Sequence, residues 1–319
     1  MVRCLFCFMR IVFMGTPQAA VPSIYRLLQD GYELVAVYSQ PDRPSGRGNK
    51  IMFSPVKEFA IQHGLPIFQP TRIKTQEAFE EFSSLKADVT VVVAYGRILP
   101  GSFLQAFPKG AINVHFSLLP KYRGAAPVNW AIVNGEKKTG VTTMQMDAGL
   151  DTGDILLQRE TVIQPHETAP ELMDRLSFIG ADLVSETLSR LDTLSPLPQD
   201  HNDASLAPIM KREDGLIDWS LSAVEIANRV RGFQPFPGSF TSYKGQKLTI
   251  WKAESVLIEE PRTWPEGKIL AAGGDNLIVS TGGNTALSIT ELQVEGKRRM
   301  ATHDVLNGIK INTGDFFGE

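Results

Sequence analysis

Short apolar runs rich in Val and Ile alternate, through the first half of the chain, with stretches whose apolar positions recur every three or four residues. Residues 10–14, 33–38, 88–95 and 111–115 are apolar runs rich in branched residues, which predicts buried strands. Between them, 19–29 carries a helical period and stops before Gly31. Ser54 followed by Pro55 is a cap and first-turn signal for a helix that ends near Gly64. This β-α-β-α order implies a Rossmann-like, mostly parallel sheet with helices on both faces. Further strands are expected at 140–146 and 155–162, followed by one long amphipathic helix over 169–191.

The texture then changes. Residues 192–208 (DTLSPLPQDHNDASLAP) are polar and proline-rich, the composition of a linker. Beyond it a short helix near 224–230 precedes strands expected at 239–243, 248–253, 267–272, 277–281 and 286–292. Gly-rich turns join them, the pattern of a small OB-like barrel. The expected organisation is an α/β catalytic domain over 9–191, the linker, and a barrel domain over 209–319, with residues 1–8 as an N-terminal extension.

A length of 319 residues fits two domains, and 43% apolar residues with a net charge of −3 describe an ordinary globular protein. No apolar run approaches the roughly 20 residues of a spanning helix. The opening MVRCLFCF lacks the long apolar region and small-residue cleavage site of an export signal, so a cytoplasmic protein is expected. Cys4 and Cys7 form a lone CxxC without two further ligands nearby, and no metal site is expected. Acids and bases nearly balance after residue 205, so any nucleic-acid surface there must be a local patch.

Three segments carry candidate chemistry. The turn Met14-Gly15-Thr16-Pro17 holds one of the three glycines of a dinucleotide fingerprint, which disfavours a nicotinamide cofactor and leaves a tight turn or a pocket wall. The long loop 40–50 carries Arg43, Arg47 and Lys50, suited to a phosphate backbone or to plain solvation. Between 111 and 154, Asn113 and His115 lie two apart and share one face of a strand, and Asp151 follows on a glycine-flanked turn. An amide can donate to an oxygen gaining charge, an imidazole can donate or exchange a proton, and a carboxylate can orient that ring directly or through a water. Asp147 and Asp154 read as structural. Ser117, Leu118, Leu119 and Pro120 form a corner that either holds a flat ring or simply packs.

Taken in order, RIVFMGTP, SQPDRPSGRGNK, SPVKEFA, VVVAYGRILP, INVHFSLLPKYRGAAP, TGVTTMQMDAGLDTGDIL, IDWSLSA, IWKA and EGKRRM resemble the blocks of the folate-dependent formyltransferases, specifically those acting on methionyl-tRNA. The resemblance covers nearly the whole chain. It implies transfer of a formyl group from 10-formyltetrahydrofolate to the α-amine of methionyl initiator tRNA by a monomer without a metal. It makes Asn113, His115 and Asp151 the catalytic trio and Ser117 to Pro120 the folate-contacting run. It assigns Arg43 to the tRNA acceptor stem and Lys297, Arg298 and Arg299 to tRNA phosphates, and Arg47 and Lys50 of the same charged loop are also expected to bind tRNA. The Asn–His–Asp block is shared with formyltransferases of amino sugars and nucleotides, so an alternative acceptor of that kind stays open, as does a non-catalytic RNA-binding role. Phe116 departs from the small residue often found there, and a regular strand points it away from Asn113 and His115.

Overall fold

A computed structural model describes residues 9–45, 50–256 and 264–319. The chain forms two compact units, one built from residues up to 124 with 138–162 and 173–206, the other from 125–137, 163–172 and 207–319.

Among the described residues, seven strands make the sheet of the first unit: β1 Arg10–Gly15, β2 Glu33–Tyr38, β3 Ile67–Phe68, β4 Val89–Val93, β5 Ala111–His115, β6 Lys138–Gln145 and β7 Ile155–Val162. Their order is β7-β6-β5-β4-β1-β2-β3. β1 to β5 run parallel, and β6 and β7 add to one edge antiparallel. The four expected inner strands form because their side chains are buried on both faces. β4 stops at Val93, short of the expected residue 95, because Ala94 turns into the left-handed region at φ 47°. The expected helix from 19 begins as a 3-10 turn, Gln18–Ala20, and becomes α-helical over Val21–Gln29, where Pro22 fits the first turn. Ser54 caps Pro55–Gln62 by accepting from the Lys57 amide. Helices Gln76–Ser84 and Pro127–Val133 were not expected from the apolar period.

Register positions the later chemistry. Met14 of β1, Val92 of β4, Asn113 of β5 and Met144 of β6 form one row across the sheet. Paired residues share a face, so Asn113 and His115 project on the side of the aromatic core that holds Met14, Val92, Phe82, Phe103 and Phe107. The opposite face packs under the helix Ala169–Arg190. There a Cβ added at Gly180 would sit 3.0 Å from Val114 and 3.3 Å from Phe116. Phe116 therefore lies on the face away from His115, as a regular strand requires.

The second unit has an antiparallel sheet of β8 Ser239–Tyr243, β9 Gln246–Val256, β10 Ile269–Gly273, β11 Asn276–Thr281 and β12 Thr285–Val294 in the order β8-β9-β12-β11-β10. Helix Ala223–Gly232, begun by a Ser222–Glu225 capping box, packs its buried Ile226 and Val230 on the sheet interior with Trp219, Leu248 and Leu292. The two sheet edges are bridged by the end of the chain. Phe317 N–H donates to Gly267 O (2.9 Å) beside β10, and Gly318 N–H donates to Ser242 O (2.9 Å) in β8. This tail gives the open sheet its barrel-like closure and hides edge groups that would otherwise pair with another chain. A short helix, Thr302–Gly308, adds to the expected elements.

Candidate active site

In a parallel α/β sheet, ligands bind outside the carboxyl ends of the strands where strand order reverses, here between β1 and β4. Gly15 ends β1 at this point. A Cβ there would meet Phe13 at 2.8 Å and Ala20 at 2.9 Å, so the turn requires glycine for close packing of strand on helix. Thr16 Oγ1 donates to Tyr95 O (3.1 Å) and accepts from the Gln40 amide N–H (3.2 Å), tying together the ends of β1, β2 and β4. Gln40 Nε2 also donates to Tyr95 O, and Arg97 Nε donates to Gln40 Oε1 (3.0 Å). Ile98, next to Arg97, is 76% exposed.

Asn113 and His115 stand on β5 beside this crevice, 9% and 6% exposed. The Asn113 carboxamide has no hydrogen-bond partner among the described residues, so its N–H groups remain available to a ligand. His115 is held. Its Nε2 lies 2.9 Å from Tyr122 O, and since a carbonyl accepts, Nε2 must carry the proton. Nδ1 is then the nitrogen left to exchange a proton, and it faces Asp151 Oδ2 at 3.7 Å. That separation exceeds a hydrogen bond but suits an ion pair.

Asp151 is positioned by backbone conformation and by hydrogen bonds. Its φ of 52° places a non-glycine residue in the left-handed region, as do Ala94 (47°) and Tyr122 (62°). Such conformations cost on the order of 1–3 kcal/mol each and concentrate at functional sites. Gly124 N–H donates to Asp151 Oδ2 at 2.8 Å. Asp147 accepts from Gly149 N and Thr152 Oγ1, so it braces the turn from within, the structural role expected of it. The structure thus brings together the three residues picked from the sequence.

The corner at 117–120 is largely satisfied internally. Ser117 Oγ donates to Lys121 O (2.7 Å), Leu119 N–H donates to Thr142 Oγ1 (3.1 Å), and Gln158 Nε2 donates to Leu119 O (2.8 Å). Ser117 and Leu119 are buried, with Leu119 packed on Met144 and Ile155, whereas Leu118 and Pro120 are half-buried. Arg47 and the side chains of Arg43 and Lys50 lie outside the described residues, as do residues 1–8 with Cys4 and Cys7. The backbone of Arg43–Ser45 pairs antiparallel with Lys50–Met52. At its root, hydrogen bonds from Gln69 and Lys57 hold the Asp42 carboxyl below the usual carboxylate range. In the second unit Lys297 and Arg298 are exposed, but Arg299 is already engaged. It donates twice to the Glu291 carboxylate at 2.5 Å and lies over the Trp251 ring at 5.0 Å. The three basic residues are therefore not equivalent.

Sequence reasoning missed Tyr122, Gly124, Arg123 and Gln199. Gln199 sits in the segment expected to be a linker, yet it is 7% exposed and donates to the carbonyls of Asp151 (2.9 Å) and Gly153 (2.6 Å). That stretch is thus more than a spacer. Proline-rich polar composition hides a single buried amide, and no spacing signal marks it. Among the described residues no cluster of His, Cys, Asp and Glu could hold a metal, and no helix is long and apolar enough to cross a membrane.

The family described as formyl transferase matches residues 9–188, and its C-terminal domain matches residues 209–310. A methionyl-tRNA formyltransferase of Alkaliphilus oremlandii is 48% identical over 98% of this chain and 100% of its own length. That of Caldanaerobacter subterraneus subsp. tengcongensis is 50% identical over 96% and 99%. Among solved structures, the N-formyltransferase of Helicobacter canadensis, in complex with folinic acid and dTDP-3-aminofucose, superposes with a TM-score of 0.67 at 20% identity, covering 88% of this chain and 99% of that one. The methionyl-tRNA formyltransferase of Clostridium thermocellum superposes at 0.57, also at 20% identity, over 77% and 93%. The likeness to both structures is one of fold, whereas sequence identity near one half over nearly the whole chain shows the family: the chain belongs to the formyl transferases, in the branch of the methionyl-tRNA formyltransferases.

Proposed function

We propose that this chain moves the formyl group of 10-formyltetrahydrofolate onto the α-amine of methionyl initiator tRNA, the reaction that prepares the first aminoacyl-tRNA of translation. The observation that carries this reading is the unengaged Asn113 amide beside the His115–Asp151 pair, in a chain 98% of which aligns with a methionyl-tRNA formyltransferase. The formyl carbon would lie within reach of Asn113, whose Nδ2–H donates to the formyl oxygen as it gains charge. A single such donor contributes roughly 3 kcal/mol. His115 stands beside it with Nδ1 as its exchangeable site. Asp151 holds that site, and Nδ1 or a water bound by Asp151 takes the proton that the attacking amine loses and passes it to the folate nitrogen. Direct attack by the neutral amine needs no covalent enzyme intermediate, and the folate nitrogen leaves with a proton in place of the formyl group.

Asn113, His115 and Asp151 are the catalytic residues in this reading. The corner Ser117 to Pro120 is a rigid wall for the folate donor, met through the outer surfaces of Leu118 and Pro120 because Ser117 and Leu119 turn inward. Arg43, Arg47 and Lys50 approach the acceptor stem, and the unit after residue 209 binds tRNA, with Lys297 and Arg298 in preference to the paired Arg299. The enzyme acts as a cytoplasmic monomer.

The rival acceptor, an amino sugar or nucleotide amine, is favoured by the fold shared with the Helicobacter canadensis enzyme. Supplying the donor with methionyl initiator tRNA, uncharged tRNA and small amines in separate reactions discriminates the two. Formylated methionyl-tRNA is expected; product confined to small amines overturns the proposal.

A further inference from the structure

Gln199 is held in turn by the side chain of Arg123. This guanidinium is 6% exposed, and its hydrogen-bond partners among the described residues include no carboxylate. Burying a cation without an anion is costly, so its surroundings must repay it with dipoles. Arg123 Nε and Nη2 donate to Gln199 Oε1 at 3.1 and 2.7 Å, and Nη1 lies 3.1 Å from His201 Nδ1. With its oxygen fixed by two charge-assisted donors, the Gln199 amide can present only its NH₂ group to the other side. Both N–H bonds are used there, on the carbonyls of Asp151 and Gly153.

Residues 122–124 thus reach the site through three successive positions. The Tyr122 carbonyl holds His115 Nε2, the Arg123 side chain holds Gln199, and the Gly124 amide holds Asp151 Oδ2. The segment is itself pinned, since Tyr122 N–H donates to Ser205 Oγ (2.9 Å) and Arg123 N–H to Ser205 O (2.8 Å). Asp151 needs such a frame because its left-handed φ of 52° is a conformation that non-glycine residues leave readily.

We propose that Arg123 and Gln199 are positioning residues that act through Asp151. Arg123 orients the Gln199 amide, and Gln199 clamps the backbone carbonyls on and beyond Asp151. The clamp holds the carboxylate at 3.7 Å from His115 Nδ1, close enough to tighten onto the ring when substrates bind. Neither residue touches substrate. The proposal rests on the formyl-transfer reading given above and adds two residues that carry no chemistry of their own.

A double-mutant cycle in the full-length enzyme tests it. Gln199→Leu removes the clamp, and Gln199→Glu keeps its size and its bond to Arg123 but cannot donate to either carbonyl. Each is expected to lower kcat on the order of 10²-fold, the scale of a displacement near 1 Å at a reacting group, while the KM for methionyl-tRNA changes less than about threefold. Arg123→Lys keeps the charge but loses the fork, and is expected to give an intermediate loss. In an Asp151→Asn background the same Gln199 changes are expected to cost less than about threefold more, because the residue they position is already disabled. Full, additive losses in that background overturn the proposal, as does a Gln199→Glu enzyme with wild-type kcat. If Gln199→Leu fails to fold, the Gln199→Glu cycle decides alone. Failure of the underlying reading looks different: Asp151→Asn would then retain wild-type turnover.

Discussion

Replacing Asn113 with Ala isolates a contribution that the protein itself does not use. The side chain lies on β5 between Val92 and Met144, 9% exposed, with its amide free of protein hydrogen bonds among the described residues. Truncation therefore orphans no partner. The stability change is expected to stay within about 1 kcal/mol. The chemical cost is far larger, since loss of one donor to a developing oxyanion is worth about 2.7–4 kcal/mol, or 10²- to 10³-fold in kcat. Because the interaction strengthens as charge develops, the KM values for both substrates should change only a few-fold. Steady-state formylation of methionyl-tRNA, read beside urea unfolding, measures both quantities on one preparation. A loss of turnover below tenfold, or a loss matched by unfolding under assay conditions, would refute the oxyanion role.

Other expectations follow from particular contacts. Phe116→Ala, next to His115 in sequence but buried on the opposite face, should destabilise by about 3–5 kcal/mol in urea while leaving kcat within a few-fold; a kcat loss like that of Asn113→Ala would contradict the two-face geometry. Gly140→Ala would place a Cβ 2.2 Å from Arg159 O on the paired strand, so β6 and β7 must shift, at a cost on the order of 2 kcal/mol; an unchanged unfolding midpoint would count against the close approach. Hydrogen bonds from Lys244, Tyr243 and Asn312 lower the Asp315 carboxyl from 3.8 to about 2, so its contribution to stability is fully present above about pH 4 and is lost as the pH falls toward 2. Unfolding midpoints of the wild type and Asp315→Asn should therefore converge as the pH drops from 4 to 2, whereas a constant gap would mean that the carboxylate does not hold the closing tail.

Sheet and site were legible from the sequence to different depths. Apolar runs such as 33–38 and 111–115 are buried on both faces, and that burial is what writes a strand into a sequence, so the α/β architecture could be read directly. Helix Gln76–Ser84 is a short, mostly polar run that fully buries only Phe82, and Pro127–Val133 was missed because its short run is nearly all apolar and has no period to find. The spacing of Asn113 and His115 gave them a common face at once. Asp151 stood out as a carboxylate on a glycine-flanked turn, which is also ordinary turn chemistry, and the family resemblance then placed it in the catalytic trio. What no pattern could disclose is the frame around it. Tyr122 acts through a main-chain carbonyl, Gly124 through a main-chain amide, and Gln199 from a stretch whose composition suggested solvent. Backbone groups are common to every residue, so their use at a site leaves no mark in residue type.

Following the formyl carbon itself tests the central claim most directly. With an isotopic label in the formyl group of 10-formyltetrahydrofolate and methionyl initiator tRNA as acceptor, the label should appear on the methionine α-amine with the wild-type chain. It should fall to the uncatalysed level with a folded enzyme in which Asn113, His115 and Asp151 are all Ala. Label transferred by that triple variant at near wild-type rate, or no label on methionine with the wild type, would contradict the account.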